Sequence, residues 1–201
     1  MFESLMLLVG ATVLLLGSPG PAPLALAASS ATFGVRNSLP FLGGILAGLL
    51  AAIAGALFGV AALLKTAPQL ALALQIIAAL YIARIAWRIA TAPVLSTAEQ
   101  RQDKPGLLDG FILNLLNPKA YMAFLALFSQ FLLPGEQEYL RYGLTALVCF
   151  GCAIVVDLGW LLAGGALRRV FSHPKWARTV RCLLALAMLA TVLLGLLLWH
   201  S

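Results

Sequence analysis

Six long apolar segments dominate the chain and limit what it can fold into. A helix needs about 20 apolar residues to cross the hydrocarbon core of a bilayer. Within that core, only helices and closed barrels satisfy their own backbone hydrogen bonds. The segments cover residues 2–28, 39–64, 70–90, 108–133, 142–167 and 180–199. They predict an all-α membrane protein with six transmembrane helices. Because the connections are short, we expect a single domain over 1–201, with halves at 1–90 and 108–201 and a linker at 91–107.

The composition excludes several other classes of protein. The chain is 62% hydrophobic and only 10% charged, whereas a soluble domain needs far more polar cover. Its net charge of +6 does not form a basic stripe with aromatic residues, as a nucleic-acid surface would. The sequence also contains no phosphate-binding glycine loop and no His, Cys and carboxylate cluster with metal-ligand spacing. We therefore expect no cofactor, metal, nucleic-acid partner or enzymatic activity, and a surrounding of membrane lipid.

The N-terminal segment has to be weighed against a cleaved signal peptide. Residues 25–27, Ala-Leu-Ala, resemble a cleavage site that follows an apolar run. However, Glu3 stands where a signal peptide carries positive charge, and prolines interrupt the run before residue 25. We expect a retained first helix.

Basic residues predict the orientation of the bundle, since cytoplasmic loops carry the excess of Lys and Arg. Ten of the 13 Lys and Arg residues lie in or beside the first, third and fifth linkers. The opposite side has Lys65 and Arg141, and Lys119 lies within a span. Both termini should therefore face away from the cytoplasm.

Two of the apolar segments, the first and the fourth, are interrupted. Residues 18–23 read Ser-Pro-Gly-Pro-Ala-Pro, and residues 114–119 read Asn-Leu-Leu-Asn-Pro-Lys. Proline removes a backbone donor and frees a carbonyl one turn earlier. In a membrane, such breaks persist only where protein or a water-filled cavity satisfies the freed groups. Paired broken helices are typical of transporter binding sites.

The positions of the breaks favour two inverted repeats. Three spans per half is an odd number, so a repeated second half would be inverted, with broken helices 1 and 4. At about 1.5 Å per residue, both breaks lie about 12–14 Å from the cytoplasmic end of their span, near the middle of the membrane. Freed backbone groups and amide side chains there suit a small-molecule substrate. The predicted substrate-binding residues are Pro19, Gly20, Pro21, Asn114, Asn117, Pro118 and Lys119.

Lys119 and Asp157 are charges at the same depth. An unbroken helix would point Lys119 about 140° away from Asn114, so the sequence leaves open whether this lysine faces the pocket. Asp157 lies about 15 Å inside the fifth span. A carboxylate there costs about 2.5–3.5 kcal/mol, which indicates a function. We expect it to couple protons or bind a substrate amine; the alternative is a structural ion pair or hydrogen bond.

Small residues and cysteines suggest packing more than chemistry. Gly44, Gly48 and Ala52 repeat at four-residue spacing, which lets helix backbones approach closely.

Cys149 and Cys152 have the spacing of a redox motif. A membrane thiol oxidoreductase is therefore a rival hypothesis. We favour two buried, inert thiols, because thiol exchange needs an accessible thiolate.

The chain resembles a known family. Residues 110–120, 124–126 and 130–131 resemble the signature of the LysE/RhtB family of amino-acid exporters, most specifically in the Asn-Pro-Lys triplet at 117–119. Residues 18–21 resemble the family's Thr-Pro-Gly-Pro in the first helix. The resemblance implies a secondary exporter of amino acids or similar solutes in a bacterial inner membrane, working as a proton antiporter. In that membrane, the distribution of basic residues predicts that both termini are periplasmic. A metal-cation transporter of the wider superfamily is the other alternative. The substrate, the coupling ion and the oligomeric state stay open, with a homodimer as one candidate.

Overall fold

The described part of the chain is helical. A computed structural model describes residues 1–59, 68–91, 104–167, 179–180 and 182–190. Within these ranges every regular element is a helix, as predicted. The helices are α1 (Phe2–Gly17), α2 (Pro21–Phe33), α3 (Val35–Leu57), α4 (Pro68–Thr91), α5 (Leu107–Leu115), α6 (Pro118–Gln130) and α7 (Glu138–Leu167), followed by helical residues 182–190.

Both predicted breaks are present. α1 and α2 form a pair bent by 64°, and α5 and α6 form a pair bent by 59°. α3 and α7, with mean hydropathies of 2.0 and 2.2, are each long and apolar enough to cross a membrane. If each bent pair is one span, the described residues supply up to four spans. α4 covers the third predicted segment, and residues 182–190 are helical within the sixth. Residues 60–64, 92–103 and 191–199 lie outside the described residues, so the count of six spans stays a prediction.

The turn between α2 and α3 moves the start of the second span. The sequence predicts this span from residue 39, but α3 begins at Val35. Gly34 has φ 90° and ψ 157°, a conformation that side chains disfavour. It ends α2 with a bond from its N–H to Ser30 O and starts α3 at once, so the chain reverses with no linker.

Glycines bring α3 and α5 into backbone contact, which confirms the predicted packing role of the small residues. A Cβ on Gly48 would lie 2.7 Å from Phe111 O and 3.0 Å from Asn114 Cβ. A Cβ on Gly44 would collide with the backbone at Leu107, and one on Gly110 with the backbone at Phe41. Since any side chain at these positions would push the helices apart, the glycines fix where the broken pair α5–α6 lies.

α2 occupies the centre of the bundle. Twelve of its 13 residues are buried, which is typical of a helix surrounded by others. Each half of the chain packs on the broken helix pair of the other half. α3 packs on α5 and α6, which are the broken pair of the second half. α7 packs in the same way on α1 and α2, the broken pair of the first half. The two breaks are thereby brought face to face.

Candidate transport site

The first break is three residues long and its carbonyls are bonded from several elements. Ser18 ends α1 with ψ 144°, and Pro21 opens α2 behind the N-cap Gly20. Proline at the first helical position needs no N–H partner. The Ser18 hydroxyl donates to Leu15 O at 3.0 Å, and Trp160 Nε1 of α7 donates to Gly17 O at 3.3 Å. One freed carbonyl of this break is thus satisfied from the opposite half of the chain.

The second break is held by its own residues. Asn117 is the N-cap of α6 and accepts from Lys119 N at 3.2 Å, while Pro118 opens the helix. The N–H of Asn117 bonds to Asn114 O at 3.1 Å. The Tyr121 hydroxyl donates to Leu115 O at 2.9 Å. The carbonyls that the proline frees therefore find partners within one turn of the break.

Asn114 anchors the second break to α3. Its amide nitrogen donates to Ile45 O at 2.8 Å, and its amide oxygen accepts from Asn117 Nδ2 at 3.4 Å. Asn114 and Asn117 are 2% and 3% exposed, so these bonds form away from bulk water. A buried amide has to be bonded to be tolerated, and this pair meets that need.

Lys119 links the two breaks. Its ammonium donates to the carbonyl of Ser18 at 2.5 Å, across 101 positions of sequence. The N-terminal turn of α6 directs the side chain toward the first broken helix, which answers the question that the sequence leaves open. Lys119 faces the site between the breaks.

A small cavity lies where the breaks meet. Polar side chains that line it are Asn114, Asn117, Lys119 and Asp157; the other lining residues are Leu16, Ala22, Pro23, Ile45, Leu49, Ala120 and Ala153. Its volume is about 30 Å³, room for one or two water molecules. Small-molecule pockets usually measure several hundred Å³. The cavity in this structure is therefore too small to hold an amino acid.

Asp157 contributes a buried carboxylate to the cavity from α7. It is 7% exposed. Among the described residues, no donor lies within hydrogen-bonding distance of its carboxylate, and Lys119 forms no direct ion pair with it. Both charged side chains line the same cavity. A buried carboxylate without a hydrogen-bond donor is costly, and binding of a cation or a proton there would lower that cost.

Four of the eight predicted site residues line the cavity, and the other four lie at the helix breaks without lining it. Asn114, Asn117, Lys119 and Asp157 line the cavity. Pro19, Gly20, Pro21 and Pro118 shape the breaks but do not line it. Sequence reasoning missed Trp160 and Tyr121, which bond to freed carbonyls. Trp160 carried a signal, since it follows Asp157 by three positions and lies on the same face of a helix.

The two cysteines of the redox-like spacing lie on α7. Cys149 is fully buried, and its sulfur is 3.5 Å from the Thr12 hydroxyl of α1, which itself donates to Leu8 O at 2.7 Å. Cys152 is partly buried. A buried thiol cannot reach a soluble thiol partner, so this arrangement favours the packing interpretation of Cys149.

The far end of α5 carries a second polar cluster. Asp109 Oδ1 accepts from Tyr81 and from Arg88, each at 3.0 Å, and Arg84 approaches it at 3.7 Å. Asp109 Oδ2 accepts from Gly106 N at 2.9 Å. The side chain of Arg88 is only 12% exposed, so this ion pair is packed between the helices. The cluster ties α4 to the start of α5.

Helices of membrane length, with two bent pairs that are broken beside a cavity containing a buried carboxylate, define a membrane transporter. The chain belongs to the LysE type translocator family, whose model matches residues 13–201. It is 34% identical over 149 residues to an uncharacterized membrane protein of Pseudomonas aeruginosa, a match covering 70% of this chain and 66% of that protein. It is 29% identical over 178 residues to the cysteine/O-acetylserine efflux proteins of Salmonella typhimurium and Salmonella choleraesuis, covering 85% of this chain and 86% of theirs. No solved structure matches the chain.

Proposed function

We propose that the protein is a secondary-active exporter of amino acids or similar small solutes across the bacterial inner membrane, coupled to protons. The observation that carries the proposal is the cavity between the two breaks, with Asp157 and Lys119 as opposite charges on its wall. Family membership and the efflux relatives support export. Their names make cysteine and O-acetylserine the first solutes to try.

The charges of the site suit a zwitterion. A carboxylate would bind near the N-terminal end of α6, where the helix dipole supplies about half a positive charge and Lys119 supplies a full one. An ammonium would bind on the side of Asp157. The amides of Asn114 and Asn117 and the backbone around Pro19, Gly20, Pro21 and Pro118 would complete the site. The remaining wall is apolar, which suits a small neutral side chain.

The small volume of the cavity supports an alternating-access cycle. An amino acid does not fit in about 30 Å³, so loading requires the halves to separate. The exchange of contacts between each broken pair and the other half favours two inverted three-helix repeats that rock around the site. Both termini would then be periplasmic. Alkaline phosphatase fused after Ser201 should be active, and fused after Gln102 it should be inactive; the reverse pattern would contradict this orientation.

The two rival functions have less support. Divalent cations prefer several oxygen ligands, mostly carboxylates, and Asp157 is the single carboxylate among the residues that line the described cavity. Thiol exchange at Cys149 would require a buried sulfur to become exposed.

Substitution of Asp157 by Asn tests proton coupling. In proteoliposomes loaded with labelled cysteine or O-acetylserine, we expect Asp157→Asn to reduce proton-driven efflux at least tenfold while substrate exchange continues, because exchange needs no net proton transfer. Glu138→Gln, which removes an exposed carboxylate from the start of the same helix, is the matched control and should keep the wild-type rate. Wild-type efflux from Asp157→Asn across a pH series would exclude a coupling role. Loss of the folded protein would instead indicate a structural one.

A further inference from the structure

The bond between Lys119 and Ser18 crosses the rim of the cavity. Ser18 and Pro19 are exposed, whereas Asn114, Asn117 and Asp157 behind them are buried. The ammonium of Lys119 reaches from the wall of the second broken helix to the carbonyl of the first. A solute that enters the cavity on this side has to pass this link.

Gly20 makes room for the link. Its backbone, at φ −159° and ψ 177°, is an extended conformation open to any residue, so the conformation does not require glycine. A Cβ on Gly20 would lie 3.0 Å from both Cδ and Nζ of Lys119, so a side chain at this position would require the lysine to shift by a few tenths of an ångström.

The Lys119–Ser18 hydrogen bond can be broken selectively by solutes that carry a carboxylate. A neutral carbonyl is a weaker partner for an ammonium than a carboxylate is, because a carboxylate adds the attraction of a full negative charge, whereas a carbonyl offers only its dipole. A carboxylate that arrives at the rim can therefore draw Lys119 away from Ser18. The released carbonyl, together with Asp157, can then accept the ammonium of the same molecule. A cation without a carboxylate offers no such exchange and is repelled by Lys119.

We propose that the Lys119–Ser18 bridge is a gate over the empty site and that the carboxylate of the substrate opens it, so that the site selects zwitterions over amines of the same size. This inference rests on the proposed export function for its selectivity. The gate itself can be tested without any substrate.

The first experiment measures closure of the empty protein. The three native cysteines are replaced by serine, and Ala120→Cys places a reporter in the cavity wall. Adding Lys119→Met, which removes the ammonium and keeps the length of the side chain, should speed its reaction with a water-soluble thiol reagent at least threefold, because the bridge can no longer form. Lys104→Met is the matched control, since Lys104 is exposed and bonds to Asn37 rather than to a break; it should not change the rate. Equal rates in Lys119→Met and Lys104→Met would overturn the gate.

The second experiment measures selectivity in proteoliposomes with cysteine, cysteamine, which lacks the carboxylate, and 3-mercaptopropionate, which lacks the amine. Wild type should prefer cysteine over cysteamine by at least tenfold. Lys119→Met should lose most of this preference, and Lys119→Arg should keep it. An unchanged preference in Lys119→Met would overturn the selective opening. A wild-type protein that moves none of these solutes or O-acetylserine contradicts the proposed substrate class and with it the selectivity, while the labelling rates still decide the gate.

Discussion

Both broken helices are interrupted at prolines, but the two breaks are stabilised in different ways. At the second break, the groups freed by Pro118 bond to residues of the same segment, namely Asn114, Asn117 and Tyr121. At the first break, the N-cap residue Gly20 has no side chain that could cap the helix. The carbonyls of Ser18 and Gly17 accept hydrogen bonds from Lys119 and Trp160, which belong to the other half of the chain.

This difference indicates which break can move. A break that satisfies its own backbone keeps its shape when the rest of the bundle shifts. A break that borrows donors from the other half changes its partners when the halves separate. We therefore regard the second break as the fixed wall of the site and the first break as the part that responds to opening.

The largest effect on stability should come from the anchor of the fixed wall. Asn114→Leu removes the bond to Ile45 O and leaves the Asn117 amide without its partner. Lost or unsatisfied buried bonds cost about 1–3 kcal/mol, and we expect a loss of this size in a denaturation curve in mild detergent, with loss of efflux. Gln130→Leu, at an exposed amide at the end of α6 that makes no hydrogen bond within the described residues, is the control and should stay within about 0.5 kcal/mol of wild type. A small effect of Asn114→Leu would mean that glycine packing alone positions this wall.

A smaller loss is expected from the cap of the fixed wall. Asn117→Ala removes the side-chain bond to Lys119 N, and loss of an N-cap costs about 1 kcal/mol. Asn117→Ser should recover most of this stability, since serine caps helices nearly as well. The measurement is the same denaturation curve. If serine and alanine behave alike, the cap does not hold the break and the contrast between the two breaks weakens.

The smallest effects should separate the two breaks by function. Tyr121→Phe and Trp160→Phe each remove one donor to a freed carbonyl, at about 0.5–1.5 kcal/mol. Tyr121→Phe removes only a hydroxyl, whereas Trp160→Phe also removes ring atoms that pack against the core, so Trp160→Phe should destabilise more. Efflux should also fall more in Trp160→Phe, because the Trp160 bond joins the halves that move. Equal efflux in the two variants would argue against a movable first break.

Much of the fold could be predicted from the sequence because it follows from local rules. Long apolar runs require helices in a bilayer, and prolines next to polar residues require breaks. The described helices and both bends agree with this reasoning. The depth of Asp157 was likewise a matter of counting along one helix. The end of α2 was harder to predict, since Gly34 joins α2 directly to α3 within the run of small residues.

The same distinction between local rules and tertiary packing applies to the site. The sequence alone predicted that Asn114, Asn117, Lys119 and Asp157 are polar groups at one depth of the membrane, and in the structure the four line one cavity. Only the tertiary structure decided that Lys119 turns toward Ser18, that Trp160 reaches Gly17 and that Arg88 pairs with Asp109. Depth is set by residue spacing along a single helix. The direction in which a side chain points depends on how its helix is rotated against partners that lie up to 143 positions away in the sequence. That rotation is fixed by packing between helices, which no local sequence pattern encodes.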